Sequence, residues 1–416
     1  MKPMGPIPPD YLGGQEGLRI GGRDAGALAA EAGDTPLFVY DLNVVRKRLA
    51  RLRAAMPSEL SVHYAMKANP YGDLLRHIIG MVDGVDVASA GELRAAMAMA
   101  AGAAPAHISF AGPGKRDDEL AAAIEAGVTL NLESEGEAGR ALAIAARLGH
   151  RPRLAVRVNP DFELRGSGMR MGGGAKPFGV DADRAAALVR RIVEAGADYR
   201  GLHIFAGSQS LDAGAIIEAQ ANSIALAARI TDETGIKPPL VNLGGGYGIP
   251  YFPGDSAMNV ESIGTALAPR LAEARASLPG TRFAIELGRW LVGEAGVYLT
   301  RIVDRKISHG EVFLVVDGGL HHQLAASGNF GTVVRRNYPV AIAHRLGAEP
   351  EEEVTIVGCL CTPLDRLADK VMLPRAEVGD LVAIFLAGAY GASASPQAFL
   401  GHPPAREMLV DSRQSP

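Results

Sequence analysis

Residues 128–158 read VTLNLESEGEAGRALAIAARLGHRPRLAVRV and hold one complete repeat of the pattern that decides the fold. The apolar runs Val128–Leu132 and Leu154–Val158 flank a stretch with apolar residues at helical spacing, Glu135–Leu148. Gly149 follows that stretch, where a helix C-cap is expected. Short apolar runs are typical of buried strands. The stretch therefore predicts a strand–helix–strand unit with parallel strands.

The same kind of apolar run recurs through the first 290 residues. Eight are found: Val62–Met66, Val85–Ala88, Ile108–Ala111, Val128–Leu132, Leu154–Val158, Gly201–Phe205, Leu240–Leu243 and Phe283–Glu286. Eight strand–helix units in about 250 residues predict an α/β fold of the closed (β/α)8 TIM-barrel type. A doubly wound open sheet is the alternative. It is less favoured because Gly244–Gly246 follows the seventh run, whereas an open dinucleotide-binding sheet has its glycines after the first strand.

The pattern changes after about residue 296, where strand-like runs continue and long helical patterns are absent. The runs are Val297–Val303, Val312–Val316, Val354–Val357 and Leu381–Phe385. They predict a mostly antiparallel β domain. Thr35–Tyr40 is also strand-like, precedes the first predicted helix (Leu42–Met56), and is a candidate to pair with that C-terminal sheet. We therefore expect a barrel over residues 41–295 and a discontinuous β domain made of residues 1–40 and 296–416.

The composition is that of an ordinary globular protein with two or three domains. The chain has 416 residues, 48% of them hydrophobic and 21% charged, with a formal net charge of −4. That charge provides no basic field for nucleic acid or an anionic membrane. No apolar run reaches the ~18 residues that would span a bilayer, and the N-terminus lacks the apolar core of a signal peptide. We expect a cytoplasmic metabolic enzyme.

The sequence provides weak evidence for a metal site or a disulfide. The only cysteines, Cys359 and Cys361, are one residue apart, and no Cys/His pair is nearby in sequence to complete a zinc site. His321 and His322 are adjacent, and neighbouring residues on a strand face opposite sides. We therefore predict no metal, a packing role for Cys359, and a loop or packing role for the two histidines.

Polar residues follow the predicted barrel strands, and in this fold the C-terminal strand ends form the active site. Lys67 follows the first run among apolar neighbours, so we expect a desolvated amine that can attack an aldehyde. Gly244–Gly246 would expose backbone N–H groups to a phosphate, and Glu286 and Arg289 follow the eighth run. Each signal alone has a structural explanation: a strand-end lysine, a tight loop, an ion pair. Together they are the parts that pyridoxal phosphate (PLP) needs.

Nine short motifs occur in a defined order along residues 35–395. They are Tyr64-Ala65-Met66-Lys67-Ala68-Asn69-Pro70, Ala90-Gly91-Glu92-Leu93, Asn131-Leu132-Glu133-Ser134, Gly207-Ser208-Gln209, Gly244-Gly245-Gly246-Tyr247-Gly248, Glu286-Leu287-Gly288-Arg289, Val316-Asp317-Gly318-Gly319, Cys361-Thr362-Pro363-Leu364-Asp365 and Ala387-Gly388-Ala389-Tyr390-Gly391. This set resembles the barrel-fold (fold type III) PLP-dependent decarboxylases. That family includes diaminopimelate, ornithine and arginine decarboxylases and shares its barrel with alanine racemase. One such motif is weak evidence, whereas nine in order are specific.

The resemblance implies a function and roles for individual residues. It implies a PLP-dependent decarboxylase that removes the α-carboxylate of an amino acid. Lys67 would bind the cofactor covalently, Glu286 would bind its pyridine nitrogen, and Cys361 would protonate Cα from the partner subunit of a homodimer. The phosphate would be held by Ser208, Gly245, Gly246, Arg289 and Tyr390.

Departures from the family pattern bear on the substrate. The usual cofactor-stacking histidine is replaced by Phe205, which we expect to supply the stacking face. Thr362 replaces the glutamate that usually follows the catalytic cysteine in diaminopimelate enzymes, and residues 318–331 lack the usual Arg-Pro-Ala-Leu-Tyr stretch. We expect Thr362, Asp365 and Arg157 to contact the substrate. It would be a diaminopimelate-like or basic amino acid, or an amino-acyl group on a carrier protein.

Two other functions fit the same resemblance less well. An amino-acid racemase would need a second base opposite the lysine, normally a tyrosine, and the Cys361 motif favours the decarboxylase. A non-catalytic PLP-binding protein is usually a lone barrel, whereas this chain continues into a β domain with a candidate proton donor. Release of CO2, as opposed to loss of chirality, distinguishes a decarboxylase from a racemase.

Overall fold

The computed structural model describes residues 1–12, 17–100, 107–328 and 335–414. The chain forms two compact units. The barrel unit contains Leu49–Gly248 and Ala257–Gly288. The β unit contains Met1–Arg48, Ile249–Ser256 and Arg289–Pro416.

Strands and helices alternate through the middle of the chain. The strands are β1 (Arg19–Ile20), β2 (Arg23–Asp24), β3 (Leu37–Asp41), β4 (Ser61–Ala65), β5 (Gly84–Val87), β6 (His107–Phe110), β7 (Thr129–Leu132), β8 (Arg153–Asn159), β9 (Met169–Arg170), β10 (Val180–Asp181), β11 (Asp198–Ile204), β12 (Gly207–Ser208), β13 (Leu240–Asn242), β14 (Arg282–Leu287), β15 (Gly296–Ser308), β16 (Glu311–Val316), β17 (Val340–Ile342), β18 (Glu352–Val357), β19 (Arg366–Leu373), β20 (Leu381–Ile384) and β21 (Arg406–Val410). The α-helices are α1 (Ala25–Glu31), α2 (Leu42–Ala55), α3 (Gly72–Ile79), α4 (Ala90–Met99), α5 (Asp117–Glu125), α6 (Glu135–Leu148), α7 (Ala185–Glu194), α8 (Ala213–Thr234), α9 (Val260–Ser277) and α10 (Arg289–Val292).

The barrel unit is a closed ring of eight parallel strands. Their order is β8-β11-β13-β14-β4-β5-β6-β7, and pairing of β7 with β8 closes the ring. The short strand β10 adds to β8 outside it. Each of the eight predicted apolar runs overlaps one of these strands, so the TIM-barrel prediction is confirmed. The open-sheet alternative is excluded.

Two helices begin with the same serine cap, which also fixes the end of the preceding strand. Ser89 accepts a hydrogen bond from the Glu92 N–H, and Ser134 accepts one from the Glu137 N–H. The two glutamates accept in turn from the backbone N–H of the residue before each cap, at 2.7 and 2.9 Å. These Ser-x-x-Glu boxes pair orphan N–H groups at α4 and α6. As predicted, Gly149 ends α6 in the left-handed conformation, with φ of 68°.

The β unit is built around the long strand β15. This strand pairs antiparallel with β3, β16 and β20, so the predicted pairing of residues 35–40 with the C-terminal sheet is confirmed. Most pairs are antiparallel; β16–β18 and β3–β21 are the parallel exceptions. Strands β17, β19 and β21 were not predicted from the sequence. Across the described ranges, every helix is too short or too polar to cross a membrane.

Candidate active site

Lys67 lies directly after barrel strand β4, within the 3-10 turn Met66–Ala68. Its neighbours Tyr64 and Met66 are buried, but Lys67 itself is exposed. The expected desolvation of this amine is therefore not seen in the described structure, in which the strand ends before the lysine. The Nζ atom lies 5.6 Å from the centre of the Phe205 ring.

Glu286 and His203 form a buried pair in the barrel. Glu286 is on β14, His203 is on β11, and their side chains are 7% or less exposed. His203 Nε2 lies 2.8 Å from Glu286 Oε2. Burial raises the pKa of Glu286, but the hydrogen bond and the charges of His203, Lys67 and Arg157 outweigh burial and lower it to about 2. The carboxylate is therefore ionised at neutral pH.

The glycine run Gly244–Gly246 follows β13 and is packed closely against neighbouring backbone. Gly244 and Gly246 have positive φ angles of 73° and 86°, and a Cβ on Gly245 would collide with the Glu286 carbonyl oxygen. Within the described ranges, the N–H groups of Gly245 and Gly246 donate to no protein acceptor. Glycine is thus required by sterics here, and two N–H groups remain available to an anion.

Ser208 lies beside this run, in the short strand β12. Two residues further on, Ser210 donates its backbone N–H to the Gly246 carbonyl at 2.9 Å and accepts from the Gly248 N–H at 2.8 Å. This bridge joins the segment after β11 to the glycine run. Sequence order alone did not predict that contact.

Arg157 is buried, and the barrel itself binds its guanidinium. Arg157 Nη1 lies 2.6 Å from Glu133 Oε1. Glu133 also accepts from the N–H groups of Gly112 and Gly179, at 2.7 and 2.8 Å. Burial raises the pKa of Glu133, and Arg157, Lys115 and these hydrogen bonds lower it by more. The ion pair with Glu133 therefore holds the Arg157 guanidinium in place.

Arg289 begins α10 in the β unit and is surrounded by tyrosines. Its Nη1 donates to the Tyr251 hydroxyl at 2.8 Å. Its guanidinium carbon lies 4.6 Å from the Tyr390 ring centre and 5.5 Å from that of Tyr251. Cation–π contacts of this kind hold a guanidinium in place. Tyr251 was not identified from the sequence, although it is close after the glycine run.

Cys361 lies in an exposed loop between β18 and β19. Asp365, in the same loop, is buried, and its two carboxylate oxygens accept from the N–H groups of Leu320 and Leu360 at 2.6 and 2.9 Å. Burial raises the pKa of Asp365, and the two hydrogen bonds oppose this rise. Asp365 therefore holds the loop in position. Thr362 is half-buried and accepts from the Leu364 N–H at 3.3 Å.

The two adjacent histidines lie in a turn after β16, so the argument from a strand does not apply to them. The rings of His321 and His322 are 3.7 Å apart between centres. Cys359 lies close to His321 and to His402, which is distant in sequence. The fold therefore brings two histidines near Cys359 that are not its neighbours in the sequence. Of the divergent stretch 318–331, residues 329–331 lie outside the described residues.

The parts in the barrel unit fit PLP. An exposed amine lies near an aromatic ring, two backbone N–H groups are free for a phosphate, and a buried carboxylate is ionised. His203 belongs to this group through its contact with Glu286. The contact could not be known from the sequence, because His203 and Glu286 are 83 residues apart in the chain.

Comparison with known proteins gives the same picture. Residues 42–293 match the family described as "Pyridoxal-dependent decarboxylase, pyridoxal binding domain". The chain is 37% identical to L-glutamyl-[BtrI acyl-carrier protein] decarboxylase of Niallia circulans, over 90% of this chain and 89% of that protein. It is 33% identical to a diaminopimelate decarboxylase of Methanothermobacter thermautotrophicus, over 94% and 90%. The crystal structure of diaminopimelate decarboxylase from M. jannaschii superposes with a TM-score of 0.87 at 26% identity, covering 97% of this chain and 93% of that one.

Proposed function

The chain belongs to the pyridoxal-dependent decarboxylase family, and from that premise we propose that its substrate is an amino-acyl group carried by a carrier protein. The chain is an enzyme, a PLP-dependent amino-acid decarboxylase, and its substrates are of the amino-acid or carrier-bound class. The proposal concerns which substrate it takes and which residues act on it.

Three residues of the barrel unit form the proposed cofactor site. When bound, PLP accepts the electron pair of the breaking Cα–carboxylate bond. Lys67 would hold the cofactor through its amine. Glu286 binds the ring nitrogen, because its carboxylate is ionised and is held by His203. Phe205 presents its face on the Lys67 side, at 5.6 Å from Nζ.

The proposed phosphate ligands are backbone N–H groups, a hydroxyl and a guanidinium. Gly245 and Gly246 offer free N–H groups. Ser208 lies two residues before Ser210, whose backbone hydrogen bonds join this segment to the glycine run. Arg289 supplies positive charge and is fixed by Tyr251 and Tyr390. A guanidinium together with backbone N–H groups is a common way to bind phosphate.

Cys361 is the proposed proton donor to Cα after CO2 leaves. We propose that it acts in the active site of a partner subunit, so that the enzyme is a homodimer with shared sites. The exposure of Cys361 supports this role. Asp365 anchors the same loop, so it acts by positioning Cys361. Arg157 remains a proposed substrate contact, although its ion pair with Glu133 favours a structural role.

The substrate proposal depends on Thr362. Diaminopimelate enzymes usually have glutamate at this position to bind a distal amino group, and a threonine hydroxyl cannot supply that charge. The similarity to an enzyme named for a carrier-bound glutamyl substrate supports the same choice. A free diaminopimelate substrate is the second candidate, supported by the similarity to diaminopimelate decarboxylases. We also propose that residues 41–295 form the cofactor-binding domain and that residues 1–40 and 296–416 form the second, β domain. The family match over residues 42–293 supports the bounds of the cofactor-binding domain.

A decarboxylation panel tests the substrate. Purified holoenzyme is assayed for CO2 release from L-glutamyl carrier protein, free glutamate, diaminopimelate, lysine, ornithine and arginine. We expect the carrier-bound glutamyl group to have the highest kcat/KM. Higher kcat/KM for diaminopimelate would overturn the substrate proposal and leave the decarboxylase assignment intact.

Two variants test the site and the dimer. Lys67→Ala should lose the visible absorbance of bound cofactor and all turnover; full turnover would contradict the role of Lys67. Mixing Lys67→Ala with Cys361→Ser should restore about one quarter of wild-type activity per chain, because a mixed dimer keeps one intact shared site. No restoration, with mixed dimers demonstrated by mass spectrometry, would show that both residues act in one subunit.

A further inference from the structure

Three potential metal ligands meet in the β unit, and none of them was assigned to the cofactor. His321, Cys359 and His402 place one ligand atom each within 4.8 Å of one another. They come from three separate segments: the turn after β16, the loop after β18 and the segment before β21. Imidazole nitrogen and thiolate sulfur are the ligands that zinc prefers.

His321 is buried without a hydrogen-bond partner. It is 0% exposed, and neither of its ring nitrogens has a partner among the described residues. Its neighbour His322 differs, since its two nitrogens lie 3.1 Å from the Tyr298 hydroxyl and 2.9 Å from the Pro403 carbonyl oxygen. Buried polar groups normally have partners. The unpaired imidazole of His321 therefore indicates a missing ligand.

The separation between Cys359 and His402 is a few tenths of an ångström longer than in a tetrahedral zinc site. Cys359 Sγ lies 3.9 Å from both ring nitrogens of His402. Zinc–ligand bonds of 2.3 Å to sulfur and 2.0–2.1 Å to nitrogen imply a sulfur–nitrogen separation of about 3.5 Å. The three ligand atoms all lie within 4.8 Å of one another and would move closer together to share one ion.

We propose that His321, Cys359 and His402 bind one Zn²⁺ ion, with a fourth position open to water or another ligand. A neutral imidazole offers one nitrogen lone pair to a metal. Zinc binds cysteine as the thiolate, so metal uptake would release the Cys359 thiol proton.

Such an ion would join three segments that the sequence separates widely. One of them carries Cys361, two residues after Cys359. The metal would thus stabilise the loop together with Asp365, which accepts from the Leu320 and Leu360 N–H groups. The site does not use Cys361 itself, so its metal content can be tested independently of catalysis.

Metal content and coordination test the proposal. Untagged holoenzyme is loaded with ZnSO4, desalted and measured by elemental analysis and zinc X-ray absorption. We expect about one zinc per chain, with one sulfur at about 2.3 Å and two or more nitrogen or oxygen ligands. Wild type that retains no zinc, or zinc without a sulfur ligand, would overturn the proposal without any variant being made.

Matched variants locate the site. Cys359→Ser and His402→Ala should reduce retained zinc to background, whereas Cys361→Ser and His150→Ala should keep it. Circular dichroism and cofactor absorbance verify that each variant is folded. Loss of zinc in Cys361→Ser with retention in Cys359→Ser would place the ion on the other thiol and contradict this site. Zinc should raise the melting temperature of wild type and leave that of folded Cys359→Ser unchanged.

Discussion

His203 Nε2 lies 2.8 Å from Glu286 Oε2, between two barrel strands that are separated by β13. This contact holds the carboxylate in its ionised form although it is buried. A cofactor whose ring nitrogen must remain protonated needs an anion at that point. The pair therefore explains how the barrel can keep a charged acid in its interior.

Removing this charge should impair catalysis more than cofactor binding. We expect Glu286→Gln to lower kcat/KM by about 100- to 1,000-fold, the range for losing one preorganised electrostatic contact. Steady-state CO2 release measures it, and Glu407→Gln is the control because that half-buried carboxylate of the β unit accepts from Tyr40 and has no assigned role in the cofactor site. A loss below about tenfold would contradict the role of Glu286.

The His203–Glu286 pair predicts that the folded protein loses stability at acid pH. The pKa of Glu286 is lowered in the folded state, so its contribution is present above the ordinary value of 4.5 and is lost as pH falls towards about 2. Melting temperatures of wild type should fall through this window, and those of Glu286→Gln should fall less. Parallel curves for the two proteins would show that the carboxylate is not coupled to folding.

Arg157 should act through stability. Arg157→Met leaves the Glu133 carboxylate buried without its charge partner, which typically costs about 3–5 kcal/mol. The double variant with Glu133→Gln should recover part of that loss, measured by urea unfolding. If Arg157→Met instead raises KM with unfolding unchanged, Arg157 contacts the substrate.

Tyr251 should support cofactor affinity by positioning Arg289. Tyr251→Phe removes the hydroxyl that accepts from Arg289 Nη1, and a hydrogen bond to a charged group contributes about 1.5–3 kcal/mol. We expect the dissociation constant for PLP to rise by about tenfold or more, measured by titration of the apoenzyme. Tyr199→Phe is the control, since its buried hydroxyl has no partner in the described structure. An equal effect in both variants would argue against positioning.

The aromatic face of Phe205 should matter more than its bulk. Phe205→Leu keeps an apolar side chain but removes the ring beside Lys67, and aromatic stacking adds about 0.5–1.5 kcal/mol beyond buried area. PLP should bind about two- to tenfold more weakly to Phe205→Leu, whereas Phe205→Tyr should bind as wild type does. Unchanged affinity in Phe205→Leu would exclude a stacking role.

Much of the fold could be predicted from the sequence because local sequence patterns specify its strands and helices. Eight apolar runs alternate with helical stretches, and serine caps and Gly149 mark the ends of helices. Each of these signals depends on residues that are close together in the chain, so it can be recognised in a single sequence. Strands β17, β19 and β21 were missed because their partners, not their own patterns, define them.

The sequence by itself determined the barrel, the family motifs and the identity of the candidate lysine, carboxylate and cysteine. Only the tertiary structure decided which groups are partners: His203 with Glu286, Glu133 with Arg157, and His321 and His402 with Cys359. It also decided that Lys67 is exposed. The physical reason is that hydrogen bonds, burial and pKa shifts depend on distances between residues far apart in the chain, and those distances exist only after folding.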